Sequence, residues 1–236
     1  MFPPWRGTFY PDDLPQKREL EYAAEHLTAI EINATYHRLQ KPASFAAWAK
    51  AVPEGFVFSV KASRFITNRR ELASAEEPIK RFFAQGLERL GDRLGPILWQ
   101  FMPTKRFQPD DFARFLDLLP AEFGGQPMRH ALEPRHESFA NPAFFDLARE
   151  RNIAVCLAPS NEYPCFDEKT ADFTYARLRL AREDLPEGYE PKELDRWARR
   201  ARGWAKSGRD TFVFFISAAK VRNPAAAQAL IERLGK

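Results

Sequence analysis

Cysteine and histidine are scarce in this sequence of 236 residues, which contains two cysteines and four histidines. Two cysteines, Cys156 and Cys165, cannot build a disulfide framework or a cysteine-rich metal module. A multi-zinc site also needs more nitrogen and oxygen ligands than four histidines and the nearby acids supply. We therefore expect no disulfides, no metal and no cofactor. Cys156 lies in an apolar run and is expected to be a core residue.

Long hydrophobic runs are absent as well. The sequence contains no stretch of about 20 apolar residues, which is the length that a helix needs to cross a bilayer. The first residues also lack the charged region and apolar run of a secretory signal. We therefore expect no membrane association and a cytoplasmic location. Neither Gly-x-Gly-x-x-Gly nor a Walker-type loop occurs, which disfavours dinucleotide-binding and P-loop folds.

What the sequence does contain is a regular alternation of strand and helix patterns. Apolar residues make up 44% and charged residues 29% of the chain, as in a globular protein. Segments rich in β-forming residues alternate with segments that repeat apolar residues at helical spacing. The predicted strands are 28–33, 56–61, 97–101, 129–135, 153–157, 173–178 and 211–216, and the predicted helices are 17–27, 42–51, 76–90, 110–119, 142–151, 191–206 and 224–234.

This alternation predicts an α/β fold with a parallel sheet and helical crossovers. Nearly continuous apolar strands suit a sheet that is covered by helices. Either a (β/α) barrel or an open doubly wound sheet is consistent with the pattern. A closed barrel of this kind needs eight strands, whereas seven can be identified here.

Short motifs distributed over almost the whole chain resemble those of the YecE-like family, domain of unknown function 72. They are residues 9–11 (FYP), 31–36 (EINATY), 61–67 (KASRFIT), 94–101 (LGPILWQF), 133–139 (EPRHESF) and 175–178 (YARL). The resemblance implies a TIM-like (β/α) barrel formed by one domain, residues 1–236. It implies no established reaction, and a likeness in shape to sugar isomerases or apurinic endonucleases is analogy at the level of the fold.

The chain departs from the family pattern in three places. The strand that opens family members has no counterpart here, so we expect a barrel that lacks its first strand. After the sixth identifiable strand, Arg179 and Leu180 replace a histidine and a glycine of the family pattern. The last strand is followed by residues 216–220 (ISAAK) instead of the family's asparagine or aspartate residues. All three departures fall where a barrel has its active site.

Polar residues at the ends of the predicted strands are candidates for a functional site. Side chains alternate along a strand, so Glu31 with Asn33 and Tyr175 with Arg177 are each expected to share a face that points into the barrel mouth. The predicted ligand-binding residues are Asn33, Tyr36, Lys61, Arg64, Arg135, Tyr175, Arg177 and Arg179, with Lys220 as a further cation. Trp5, Phe9 and Tyr10 are expected to lie in a loop over this mouth.

The predicted mouth contains more cations than acids. Unpaired charges near a low-dielectric interior are costly, so a small phosphate- or carboxylate-bearing ligand is expected there, held by arginine. A Glu–Arg network that neutralises itself is the alternative. Glu31, Glu133 and His136 are predicted catalytic residues, because two carboxylates and an imidazole can act as acid and base. A single Mg²⁺ held by Glu31 and Glu133 also stays open.

Three functional hypotheses follow. The first is an enzyme that acts on a small anionic substrate by acid–base chemistry. The second is a nucleic-acid-binding barrel, because a basic mouth with aromatic loops can hold stacked bases. The third is a non-catalytic remnant of the family. The sequence does not determine whether the chain is an enzyme, and it sets no oligomeric state.

Overall fold

The computed structural model describes residues 2–206 and 208–235, and parallel strands dominate it. The strands are β1 Ala29–Ile32, β2 Val57–Lys61, β3 Leu94–Gln100, β4 Glu122–Phe123, β5 Gln126–Pro127, β6 His130–Glu133, β7 Ala154–Val155, β8 Thr174–Leu178 and β9 Thr211–Phe215. Five of the parallel strands form one sheet in the order β1-β2-β3-β6-β7. Two further strands, β8 and β9, pair with each other in parallel.

Helices connect the parallel strands, and several begin at a proline. A proline at the first turn has no hydrogen bond to lose and a suitable φ angle. The α-helices are α1 Glu19–His26, α2 Ala34–His37, α3 Pro42–Lys50, α4 Arg64–Thr67, α5 Glu76–Phe83, α6 Pro109–Asp117, α7 Pro142–Glu150, α8 Pro191–Ala205 and α9 Asn223–Leu234. The 3₁₀ helices are Pro3–Trp5, Gln16–Arg18, Leu72–Ser74, Leu87–Arg93, Glu137–Phe139 and Lys220–Arg222. Within the described residues, no helix is both long and apolar enough to cross a membrane.

The largest core lies between the sheet and the helices on one side, where Phe45, Trp99 and Phe112 are buried. The opposite face of the strands carries smaller residues, including Ala131 and Cys156. Cys156 is buried, as predicted, and burial raises the pKa of its thiol well above its ordinary value. The sheet is therefore covered on both faces, which explains its nearly continuous apolar strands.

Backbone hydrogen bonds extend the five-stranded sheet towards β8. Leu157, just after β7, donates to the Tyr175 carbonyl at 3.0 Å, and Arg177 donates to the Leu157 carbonyl at 2.8 Å. Side chains of β8 also reach β1, because Arg177 contacts Glu31. The strands therefore curve until the last pair approaches the first strand. Within the described residues, β1 and β9 are not paired, so the structure shows an α/β fold with a parallel central sheet and no closed barrel.

One prediction about local structure was wrong, and one element was missed. The predicted helix 76–90 ends at Phe83, because Gly86 adopts a φ of 107°, which a right-handed helix cannot contain. A 3₁₀ helix follows it. The short antiparallel pair β4–β5 was not predicted either. It turns through Gly124 and Gly125, both at positive φ, and two-residue strands are too short to give a periodic pattern.

Gly86 offers a direct test of this chain reversal. A Cβ atom at Gly86 would lie 2.7 Å from the Pro42 Cα, and its φ strongly favours glycine. We expect Gly86→Ala to lower the free energy of unfolding by about 2–3 kcal/mol. The control is Gly203→Ala in α8, where a Cβ meets no atom within 4 Å and the stability should rise by up to about 1 kcal/mol. Urea unfolding measures both, and equal stabilities would contradict the structure.

Candidate functional site

Seven polar residues at or near the strand ends form a connected group. They lie on the face of the strands that is opposite the largest core. The alternation of side chains predicted this face for most of them, and the register explains why they meet. Glu31 lies beside Ser59 and Gln100 lies beside Glu133 in the paired strands. All seven are buried: Glu31, Ser59, Lys61, Gln100, Glu133, Tyr175 and Arg177. We call these seven residues the polar core of the site.

Arg177 joins the two carboxylates of the polar core. Its Nε donates to Glu31 Oε2 and its Nη2 to Glu31 Oε1, both at 2.9 Å, and its Nη1 donates to Glu133 Oε2. The side chains of all three residues are almost completely buried. Burial opposes the charge of Arg177, but Glu133 and Glu31 hold the pKa of the guanidinium well above its ordinary value. Arg177 is therefore permanently charged, and with Glu31 and Glu133 it forms a buried triad.

Glu133 is also held by two further donors. Gln100 Nε2 donates to Glu133 Oε2 and Arg135 Nε donates to Glu133 Oε1, both at 2.9 Å. Burial alone would raise the pKa of Glu133, but Arg177 and Arg135 outweigh this effect and bring the pKa to about 2. Glu133 is consequently a carboxylate at neutral pH and has no proton to donate.

Glu31 is similarly saturated. Tyr175 Oη donates to Glu31 Oε2 at 2.9 Å, and Asn33 Nδ2 donates to Glu31 Oε1 at 3.0 Å. Every carboxylate oxygen of Glu31 and Glu133 therefore accepts a hydrogen bond from the protein. A Mg²⁺ ion would have to displace these donors, three of which are on Arg177, so the residues present do not fit the predicted magnesium alternative. Residues 2–206 and 208–235 contain no group of three or more His, Cys, Asp or Glu side chains placed to hold a metal ion.

Lys61 is the second positively charged residue of the polar core, besides Arg177. Its Nζ donates to Gln100 Oε1 at 2.8 Å and lies 4.0 Å from the centre of the Tyr36 ring. Burial lowers the pKa of Lys61 to about 8, and Arg177 acts in the same direction. At neutral pH the ammonium is still protonated, and its hydrogen-bond partner is a neutral amide.

Arg179 and Arg135 lie at the edge of the polar core, both close to the Tyr163 ring. The guanidinium carbons of Arg135 and Arg179 lie 4.8 and 5.1 Å from the centre of the Tyr163 ring. Arg179 Nη1 is buried and has no hydrogen-bond partner among the residues that the structure describes. Burial lowers the pKa of Arg179, and Arg135 adds to this effect. Arg179 is therefore a cation with an unused donor.

These side chains border a cavity of about 500 Å³. Glu31, Asn33, Lys61, Arg135 and Arg179 lie in its wall, together with Arg177 and Gln100. Lys220, which was predicted as a further cation, also lies in the wall. Trp5 covers one side and donates from Nε1 to the Lys220 carbonyl at 2.8 Å. The structure therefore brings acids and cations from separate strands together around one cavity.

The charges around the cavity do not cancel. Arg177 and Arg135 match the two carboxylates with which they form ion pairs. Lys61 and Arg179 remain, each without a carboxylate partner among the described ion pairs. Lys220, farther along the wall, takes part in none of these ion pairs either. The Glu–Arg network is therefore present, but it leaves these cations without a carboxylate.

Several predicted site residues do not border the cavity. His136 is not in the cavity wall, because its Nδ1 accepts a hydrogen bond from Ser138 N at 3.0 Å and caps the 3₁₀ helix Glu137–Phe139. Arg64 is exposed on α4, with its guanidinium 5.4 Å from the Phe65 ring. Tyr175 is buried behind Glu31 and hydrogen-bonded to Ser59 at 2.6 Å. Tyr36 contacts Lys61 without entering the wall.

Two residues of the site were missed by sequence reasoning. Gln100 could have been found, because it ends β3 and shares a face with Leu98 under the same alternation that identified Glu133. Tyr163 could not have been found, because it lies in a long connection where no period indicates orientation. Its closeness to Arg135 and Arg179 depends on the path of this connection.

Comparison with known proteins supports the same family. A family model described as protein of unknown function DUF72 matches residues 1–236. UPF0759 protein YunF of Bacillus subtilis (strain 168) is 26% identical over 144 residues, which are 59% of this chain and 50% of that protein. The chain thus matches about half the length of this curated relative.

Solved structures resemble the chain in fold. A DUF72 family protein from Thermotoga maritima MSB8 has a TM-score of 0.79 with this chain at 22% identity. The match covers 100% of this chain and 96% of that one. A DUF72 family protein from Enterococcus faecalis V583 has a TM-score of 0.72 at 20% identity, covering 92% of this chain and 88% of that one. The resemblance to the YecE-like family is confirmed, and the chain belongs to the family of domain of unknown function 72.

Proposed function

We propose that this protein binds a small anionic ligand, bearing a phosphate or a carboxylate, at the cavity bordered by Lys61, Arg135 and Arg179. The observation that carries the proposal is the buried Nη1 of Arg179, which has no partner within the described part of the chain. A buried charged donor without an acceptor is costly, and an anion relieves the cost. Lys61, the second unmatched cation, borders the same cavity.

The proposal includes the architecture that would support such a site. We propose that the parallel strands form a TIM-like (β/α) arrangement, open between β1 and β9, within one domain of residues 1–236. The supporting observations are the curvature that brings Arg177 to Glu31 and the polar residues at the carboxyl ends of the strands, where such folds bind ligands. A cytoplasmic location is part of the proposal, and the unpaired Cys156 and Cys165 suit a reducing compartment.

Ligand binding is a better explanation of the site than acid–base catalysis, because two of the predicted catalytic residues are unsuited to it. Glu133 has a pKa of about 2 and all of its oxygens are occupied. His136 caps a helix and does not border the cavity. In this proposal Glu31 and Glu133 position Arg177, and the ligand meets the cations.

Nucleic acid is the second candidate ligand, and one observation favours it. The side chain of Phe65 is exposed, with the Arg64 guanidinium close to its ring. A surface cleft near α4, the helix that carries both residues, is bordered by Arg69, Arg70 and Arg106. Aromatic and arginine side chains together can stack unpaired bases. Salt-dependent binding of a short single-stranded oligonucleotide that Arg64→Gln and Phe65→Ala weaken would support this candidate.

The anion proposal is tested by titration calorimetry with sulfate at pH 7. We expect wild-type protein to bind sulfate and Arg179→Gln to bind it roughly 10- to 100-fold more weakly, because a charge-assisted hydrogen bond is lost. Arg182→Gln is the matched control. It removes the same charge from an arginine that pairs with Glu190 outside the cavity wall, and it should leave the affinity unchanged.

Two results would contradict the proposal. One is equal sulfate affinity for Arg179→Gln and wild type. The other is no binding of sulfate, phosphate or a short carboxylate by wild-type protein, which would favour the non-catalytic, non-binding remnant if oligonucleotides also failed to bind.

A further inference from the structure

The cavity has two chemically different ends. Its charged end lies at the carboxyl ends of the strands and contains Lys61, Arg135 and Arg179. Its other end runs back along β1 and β9 and is bordered by apolar side chains. We infer that the ligand is an amphipathic anion, with its phosphate or carboxylate at the charged end and an alkyl or acyl chain along the apolar end. This inference rests on the proposed function and deepens it.

The apolar end is a slot between two strands that are not paired. Leu27 and Ile30 border it on the side of β1, and Val213 and Phe215 border it on the side of β9. Ala227 of α9 and Trp5 complete the wall. In the part of the chain that the structure describes, β1 and β9 share no ladder, so no backbone hydrogen bond has to break for a ligand to enter.

The slot is long enough for a chain of several carbons. The cavity wall extends along the chain from Leu27 to Asn33. At about 3.3 Å per residue this path is roughly 20 Å long. The cavity volume of about 500 Å³ lies within the range of small-molecule sites. A phosphate alone would leave most of it unfilled.

The width of the slot argues against a peptide strand as the occupant. An inserted strand needs about 9.6 Å between its two neighbours. Cα atoms of β1 and β9 approach to 8 Å or less, so the strands would have to separate before a strand could enter. An alkyl chain is thinner and needs no ladder partner.

The wall also argues against a strongly polar chain. Hydroxyl groups placed against Leu27, Val213 and Ala227 would lose water without gaining a partner from these side chains. Methylene groups in the same place gain free energy from burial. The charge at the mouth then determines the head group, because Lys61 and Arg179 lie there without carboxylate partners.

The test is a series of alkyl phosphates from methyl to hexyl, measured by titration calorimetry at pH 7. We expect the affinity to rise about threefold per methylene, so that hexyl phosphate, with five more methylenes, binds roughly 200-fold more tightly than methyl phosphate. Hexyltrimethylammonium, which has the same chain and the opposite charge, should not bind. Equal binding of both hexyl compounds would overturn the inference, because it would mean non-specific hydrophobic association.

A matched pair of substitutions on α9 locates the chain. Ala227→Leu fills the slot and should remove most of the gain from chain length without weakening methyl phosphate, which also shows that the variant is folded. Ala225→Leu makes the same change on the same helix outside the cavity wall and should keep the gain. Equal effects of the two substitutions would overturn the placement.

The outcomes separate this inference from the proposed function. If methyl phosphate binds and Arg179→Gln weakens it, but hexyl phosphate gains nothing, the anion site stands and the amphipathic ligand is wrong. If no phosphate binds, both are wrong. A dimer by light scattering, together with no gain from chain length, would mean that a segment of a second copy occupies the slot.

Discussion

Replacing Arg177 by methionine is expected to lower the free energy of unfolding by about 3–5 kcal/mol. For a domain of this size, that corresponds to a fall of roughly 10 °C in melting temperature. The reason is that Arg177 is the shared partner of Glu31 and Glu133, and all three side chains are almost completely buried. Without the guanidinium, two carboxylates remain in the interior with mutual repulsion and lost donors.

The size of this effect comes from burial. A surface ion pair contributes at most about 1 kcal/mol, because water screens both charges. The pair between Arg182 and Glu190 is of this kind, with about half of each side chain exposed. Arg182→Met is therefore the control, and it should change the stability by less than about 1 kcal/mol.

A triple variant tests the explanation independently. Adding Glu31→Gln and Glu133→Gln to Arg177→Met removes the buried charges that the single substitution leaves unpaired. We expect the triple variant to recover part of the lost stability, because neutral groups cost less to bury than unpaired ions. Urea unfolding at pH 7 measures all variants. A triple variant that is less stable than Arg177→Met would mean that the carboxylates stabilise the fold by contacts other than the ion pairs.

Acid is expected to destabilise the protein through Glu133, by about 3 kcal/mol between pH 5 and pH 2. The folded protein holds the pKa of Glu133 at about 2, whereas the ordinary value is 4.5. The unfolded chain therefore binds a proton at a higher pH than the folded protein does. The stabilising contribution is fully present above about pH 5, decreases as the pH falls through 4.5, and is lost near pH 2.

Unfolding by urea at pH values from 2 to 7 measures this contribution. Glu133→Gln has no carboxyl to titrate at this position, so its stability should depend less on pH in this range by about the same 3 kcal/mol. Glu162→Gln removes an exposed carboxyl and should keep the wild-type dependence. A carbon NMR titration that finds the Glu133 carboxyl of the folded protein titrating near 4.5 would contradict the prediction.

Both predictions concern the residues that prepare the site. Within the triad, Arg177 pairs with both Glu31 and Glu133, which leaves one negative charge. Arg135 balances that remaining charge through its ion pair with Glu133. Lys61 and Arg179 are thereby left for a ligand. An anion should therefore raise the melting temperature of wild-type protein, since it binds only the folded state.

Most strands and most of the facing residues could be predicted from the sequence. Alternation has a period of two residues, so it assigns Glu31, Glu133 and Arg177 to one face without knowledge of their neighbours. The identity of the partners could not be predicted. Register places Gln100 beside Glu133, and a shift of one residue would have reversed the face.

Loops and helix ends were the least predictable parts. His136 was expected to face the mouth because it follows a strand, but its ring caps a helix. Arg64 was expected there for the same reason and is exposed on a short helix. Once a strand ends, the period of two no longer applies, and local hydrogen bonds decide the direction of each side chain.

The sequence by itself determined the family, the order of strands and helices and the face of each strand, because these follow from motifs and from local periodicity. Tertiary structure alone decided that Arg177 joins both carboxylates, that the Tyr163 ring lies close to Arg135 and Arg179, and that the cavity continues between β1 and β9. The physical reason is that these contacts depend on the register and curvature of the whole sheet, which bring together residues more than 100 positions apart.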